Sequence, residues 1–81
     1  MWNTGYIVVN EINFYYEAKV YEKGSYYGID FGRISKLQVR LCGPAGDIVM
    51  DYDRGWNITG YEENENAKAV LQILLEKFKC E

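Results

Sequence analysis

The chain has 81 residues, with 9 Lys+Arg against 12 Asp+Glu, a net charge of −3, and no histidine. That length holds one domain, and the missing histidine excludes imidazole acid–base catalysis, histidine-ligated metals and imidazole pH switching. With 48% hydrophobic residues and a single proline, the composition predicts a folded core and argues against disorder.

In chain order, Tyr6-Ile7-Val8-Val9 is a β-prone run. Asn10 to Asn13 reads as a tight hairpin connection, because asparagine tolerates turn conformations. From Phe14 to Tyr21 the sequence alternates. Phe14, Tyr16, Ala18 and Val20 fall on one face, and Tyr15, Glu17, Lys19 and Tyr21 on the other. Glu22 to Arg33 breaks the pattern with Gly24, Gly28 and Gly32, which predicts a loop needing positive φ or close backbone approach. Alternation resumes at Ile34, with Leu37, Val39 and Leu41 facing the core and Lys36, Gln38 and Arg40 opposite. Gly43 to Asp47 is a turn, its proline presetting φ and its glycines able to supply a left-handed position. Ile48 to Asp53 is a fourth strand that Gly55 stops, and Asn57-Ile58-Thr59 reads as a turn into a helix.

The helix is predicted from about Glu62 to Lys79. Ala67, Val70, Leu71, Leu74 and Phe78 recur at helical spacing and form one apolar stripe. Thr59 to Glu62 matches capping-box spacing. Glu62, Glu63 and Glu65 complement the positive end of the helix dipole, and Lys77 and Lys79 the negative end. The expected fold is therefore α+β: a four-stranded antiparallel β-meander with one C-terminal amphipathic helix packed on one face. One helix covers one sheet face, so the other face must meet water, a partner or a second copy.

Eight tyrosines in a chain of this size stand out. Tyr16 and Tyr52 fall on core positions. Tyr15, Tyr21, Tyr26 and Tyr27 fall on the uncovered face and the glycine-bearing loop. Tyrosine packs well on a half-exposed sheet, and it also offers rigid contact area at interfaces. Arg54 and Trp56 beside Gly55 form a second candidate contact point, although Arg54 could simply pair with a carboxylate and Trp56 could cover the core edge. Arg40 shares the uncovered face with Lys19, Lys36 and Tyr15.

Catalytic chemistry is poorly represented. No serine or cysteine has a recognisable base beside it. Asp47, Asp51 and Asp53 do not match a calcium loop, and the glycine loop is neither a P-loop nor a dinucleotide fingerprint. No enzyme activity, metal or cofactor is expected. Cys42 and Cys80 are too few for a disulfide scaffold and are expected to be reduced and structural. No apolar run reaches the roughly 18 residues a membrane helix needs. The opening residues lack the basic and apolar regions of a signal peptide, so a cytoplasmic location is expected.

The segments Gly28-Ile29-Asp30-Phe31-Gly32-Arg33-Ile34-Ser35-Lys36-Leu37 and Tyr52-Asp53-Arg54-Gly55-Trp56, followed by an amphipathic helix, resemble a family of small bacterial and phage proteins without an assigned activity. That family shares a Gly-Arg-Ile-Ser-Lys-Leu core and a Tyr-Asp-Arg-Gly-Trp segment, and the resemblance spans nearly the whole chain. It implies a bacterial or mobile-element setting without an enzymatic site, and it singles out Arg33, Arg54 and Trp56. The extra tyrosines around the loop depart from the family pattern.

The expected function is a non-enzymatic protein-interaction module that binds a protein partner, or itself as a homodimer, through the tyrosine-rich face and loop. In a phage setting the partner would be a host protein that it inhibits. One alternative is a small-ligand or nucleotide binder that stacks its ligand on the tyrosines. Another is single-stranded nucleic-acid binding on the sheet. The acidic net charge and the missing RNA-recognition signature argue against nucleic acid.

Overall fold

The computed structural model describes residues 2–58 and 64–79. Five strands, β1 (Trp2–Val9), β2 (Ile12–Val20), β3 (Ile34–Leu41), β4 (Ile48–Asp53) and β5 (Trp56–Ile58), form one antiparallel sheet in the order β1-β2-β3-β4-β5. One helix, α1 (Glu65–Lys77), follows. The fold class is α+β as expected, but the sheet has five strands where the sequence predicts four.

The fifth strand depends on Arg54. Its φ of 58° is left-handed, and the Asp53 N–H donates to the Gly55 carbonyl at 2.9 Å. The chain therefore reverses at Gly55 and runs back beside β4. Trp56 pairs with Tyr52, and the two rings meet edge-on with centroids 5.0 Å apart. Three residues are too few to show an alternation in sequence. Asn57 and Ile58 thus belong to a strand and not to a turn.

The other connections are equally local. Val9 and Ile12 are joined through Asn10 and Glu11, whose φ values of 50° and 67° suit the primed turn of a two-residue hairpin. In the loop from Tyr21 to Arg33, a short 3-10 turn spans Ile29–Phe31. Gly28 is required by close approach, because a Cβ there would collide with the Gly32 carbonyl. In this loop Asp30 and Phe31 take left-handed backbone, while Gly28 and Gly32 do not. At the β3–β4 connection Cys42 takes φ 71°, and neither Gly43 nor Gly46 adopts left-handed backbone.

The helix packs its apolar stripe against one sheet face. Ala67, Val70, Leu71 and Leu74 join Phe14, Tyr16, Ala18, Val20, Ile34, Leu37, Val39, Met50 and Tyr52 in one buried cluster. Phe78 packs at its margin, near the Tyr16 ring at 6.5 Å between centroids. The helix is shorter at both ends than predicted. Asn64 is its N-cap, its side-chain oxygen accepting from the Asn66 and Ala67 N–H groups at 3.0 and 3.2 Å. The predicted Thr59–Glu62 capping box, together with Glu63, lies outside the described residues. Asn10 donates to the Asn66 side chain at 2.7 Å and so ties the first hairpin to the helix start.

Gly5 lets Tyr16 lie across β1. A Cβ on Gly5 would sit 2.9 Å from the Tyr16 hydroxyl. Among the described residues no helix is long and apolar enough to cross a membrane.

Candidate functional site

The face opposite the helix is a grid set by strand register. Cross-strand partners share a face, so Trp2, Lys19, Lys36 and Asp53 form one row, and Thr4, Glu17, Gln38 and Asp51 the next. Tyr6, Tyr15 and Arg40 form a third row. The Tyr6 and Tyr15 rings meet at 5.2 Å between centroids, tilted by 57°. Lys36 Nζ lies 3.8 Å from Asp53 Oδ1, a cross-strand ion pair at the surface. Along β1 the open face carries Trp2, Tyr6 and Val8, which are 59%, 55% and 65% exposed.

The Tyr21–Arg33 loop carries a second aromatic group. Tyr26 packs edge-on to Tyr27 at 5.7 Å and tilted against Phe31 at 5.9 Å. All three are exposed. The loop is pinned from the core: the buried Tyr52 hydroxyl donates to the Tyr27 carbonyl at 2.7 Å. Burial first, and then the Asp30 charge, raise the Tyr52 pKa above its ordinary value of 10.0. The hydroxyl is thereby kept as a donor.

Between this loop and the open face lies a cleft of about 500 Å³ that Lys19, Tyr21, Tyr27, Lys36 and Arg54 help to line. Lys19 Nζ sits 5.6 Å over the Tyr21 ring. Arg54 Nε lies 3.5 Å from Asp53 Oδ1.

The residues singled out in the sequence therefore separate. Tyr21, Tyr27 and Arg54 converge on the cleft, with Tyr26 beside Tyr27. Tyr15 lies elsewhere on the open face with Tyr6 and Arg40. Arg40 is half-buried, donating to the Gly46 carbonyl at 2.9 Å and to Gln38 Oε1 at 3.1 Å, so it braces the β3–β4 connection. Arg33 Nε donates to the Tyr21 carbonyl at 2.7 Å and closes the loop at its base. Trp56 is half-buried against the core and takes the edge-covering role. Cys42 is exposed in a turn and not a core residue, and Cys80 lies outside the described residues.

The sequence places Lys19 and Lys36 on the open face beside Arg40 and Tyr15, but it does not single out Trp2 or Phe31, which the structure leaves exposed. It also passed over Ser35, which is buried with its Oγ lacking a hydrogen-bond partner among the described residues. The apolar identity of Trp2 and Val8 on an alternating strand was the available signal for the β1 face.

No curated protein and no solved structure shows significant similarity to the chain. The family model of a domain of unknown function, DUF7678, matches residues 1–79, and the chain belongs to that family.

Proposed function

We propose that the chain is a non-enzymatic interaction module that pairs its first strand with a strand of a protein partner, a second copy of itself when the protein is alone. The observation that carries this reading is the composition of β1 at the sheet edge. Its eight residues, Trp-Asn-Thr-Gly-Tyr-Ile-Val-Val, contain no charge and no proline. Sheet edges that must stay alone are usually blunted by lysine, proline, a bulge or short length, and β1 pairs with β2 over its whole length without a bulge.

A twofold axis perpendicular to the sheet at Gly5 would pair β1 with its copy in antiparallel register. Trp2 would then oppose Val8, and Thr4 would oppose Tyr6, on a continuous open face. No like charges would meet at the seam, and the contact would be isologous and closed. Strand addition of this kind draws affinity from main-chain hydrogen bonds and specificity from alternate side chains.

Sedimentation equilibrium across concentration tests the proposal. A dimer is expected, and Val8→Lys, which places an exposed charge at the seam, is expected to return it to monomer with an unchanged circular dichroism spectrum. A wild-type chain that stays strictly monomeric at about 0.5 mM, a concentration at which even weak pairs of roughly −4 to −5 kcal/mol populate, overturns self-pairing.

A further inference from the structure

The cleft beside the Tyr21–Arg33 loop concentrates positive charge in an acidic protein. Of the chain's nine Lys+Arg residues, Lys19, Lys36 and Arg54 line it, and among the described residues no carboxylate does. Asp53 is the neighbouring counter-charge, 3.8 Å from Lys36 and 3.5 Å from Arg54. One carboxylate shared by two cations, with Lys19 set over a ring, leaves the group positive.

Ser35 supplies a second, independent observation. Strand pairing shifts between Lys19 and Val20, whose partners are Lys36 and Ile34, so Ser35 is the extra residue of a bulge. Its carbonyl accepts from the Arg54 N–H at 3.0 Å. Ser35 is 5% exposed and contributes to the cleft wall, yet its Oγ has no partner among the described residues. Buried hydroxyls are costly to leave unpaired, and bulges re-aim side chains beside functional sites.

We propose that this cleft binds a small phosphate-bearing ligand with an aromatic ring, of the nucleoside diphosphate class. Lys19, Lys36 and Arg54 hold the phosphates, the Ser35 hydroxyl turns to donate to them, and the Tyr21 and Tyr27 rings flank the base. A volume near 500 Å³ falls within the range of about 300–1,000 Å³ typical of small-ligand sites. The neighbouring row of the open face, with Glu17 and Asp51, meets any longer phosphate chain with negative charge. That favours a compact anion over a nucleic-acid strand.

Calorimetric titration of the full chain with adenosine diphosphate, pyrophosphate, adenosine and a short single-stranded oligonucleotide tests this. Adenosine diphosphate is expected to saturate below about 1 mM, pyrophosphate more weakly, and adenosine not at all. Lys19→Ala and Arg54→Ala are each expected to weaken the diphosphate about tenfold or more, with the fold checked by circular dichroism. Ser35→Ala is expected to weaken binding severalfold while leaving Tm unchanged or raised, since it deletes an unpaired buried hydroxyl. Val8→Lys, on the β1 edge, is expected to bind the diphosphate as the wild type does. Three results would overturn the proposal. One is no saturation by adenosine diphosphate at about 10 mM; another is equal affinity for adenosine. The third is an oligonucleotide affinity more than about tenfold tighter than the diphosphate, which would assign the cleft to a strand.

Discussion

Tyr15 and Tyr16 are neighbours in sequence and stand on opposite faces of the same strand. Tyr16 is buried, lies across Gly5 and approaches Phe78 of the helix end. Tyr15 shares the open face with Tyr6, Arg40 and a row of mixed charges. The covered face is continuous and apolar. The open face is assembled from rows that between them hold rings, cations and carboxylates. The contrast shows that one residue type performs two tasks here, and that the period of two along β2 decides which. It also divides the molecule energetically: the covered face holds the fold, and the open face is free to carry contacts.

The largest test of that division is Phe14→Ala. Phe14 is among the largest fully buried side chains and faces the helix. Its truncation is expected to cost about 3–5 kcal/mol in urea unfolding, the usual range for a buried phenylalanine. A cost below about 1 kcal/mol would mean that the helix does not seal that face.

Next comes Tyr52→Phe, which acts where the core reaches the loop. Losing the bond to the Tyr27 carbonyl is expected to cost about 1 kcal/mol at neutral pH and to speed proteolysis within residues 22–28. The pH dependence has a definite sign. The folded pKa of Tyr52 is raised by burial and by Asp30, so its contribution is fully present below its ordinary value of 10.0 and is lost as pH rises through the folded value. Wild-type stability should therefore fall more steeply above pH 10 than that of Tyr52→Phe. Equal slopes for the two proteins would remove Tyr52 as the link between core and loop.

A smaller effect is expected at the helix start. Asn64→Ala removes the side-chain oxygen that accepts from two helix N–H groups. About 0.5–2 kcal/mol should be lost, measurable as a lower denaturation midpoint with an unchanged m-value. An unchanged midpoint would show that the cap is replaced by other groups.

Much of the covered face was legible in the sequence. Alternation placed Phe14, Tyr16, Ala18, Val20, Leu37 and Val39 correctly, and the helical stripe placed Ala67, Val70, Leu71 and Leu74. What was hidden shares a physical cause. Arg54, Asp30, Phe31 and Cys42 adopt left-handed backbone without being glycine, so turn chemistry gave no warning that the chain reverses into β5. The bulge at Ser35 buries two consecutive residues, Ile34 and Ser35, which a strict period of two cannot express. The cleft draws on residues near 19–27, on 35–36 and on Arg54, and only register brings those three stretches together. The tyrosines were conspicuous by composition, whereas the cations among them became significant only through that register.

The smallest predicted effect is the sharpest probe of the two faces. Tyr15→Ala removes a ring whose described ring contact is the cross-strand pair with Tyr6. Such pairs are worth about 0.2–1 kcal/mol on a sheet surface, so the stability loss should stay below about 1 kcal/mol. Tyr16→Ala, one residue further along, removes a buried ring from the helix-covered side and should cost several-fold more. The ratio of the two losses, taken under one set of conditions, cancels the shared backbone and unfolded-state terms that complicate either value alone. A ratio near one would mean that the open face is itself packed in solution.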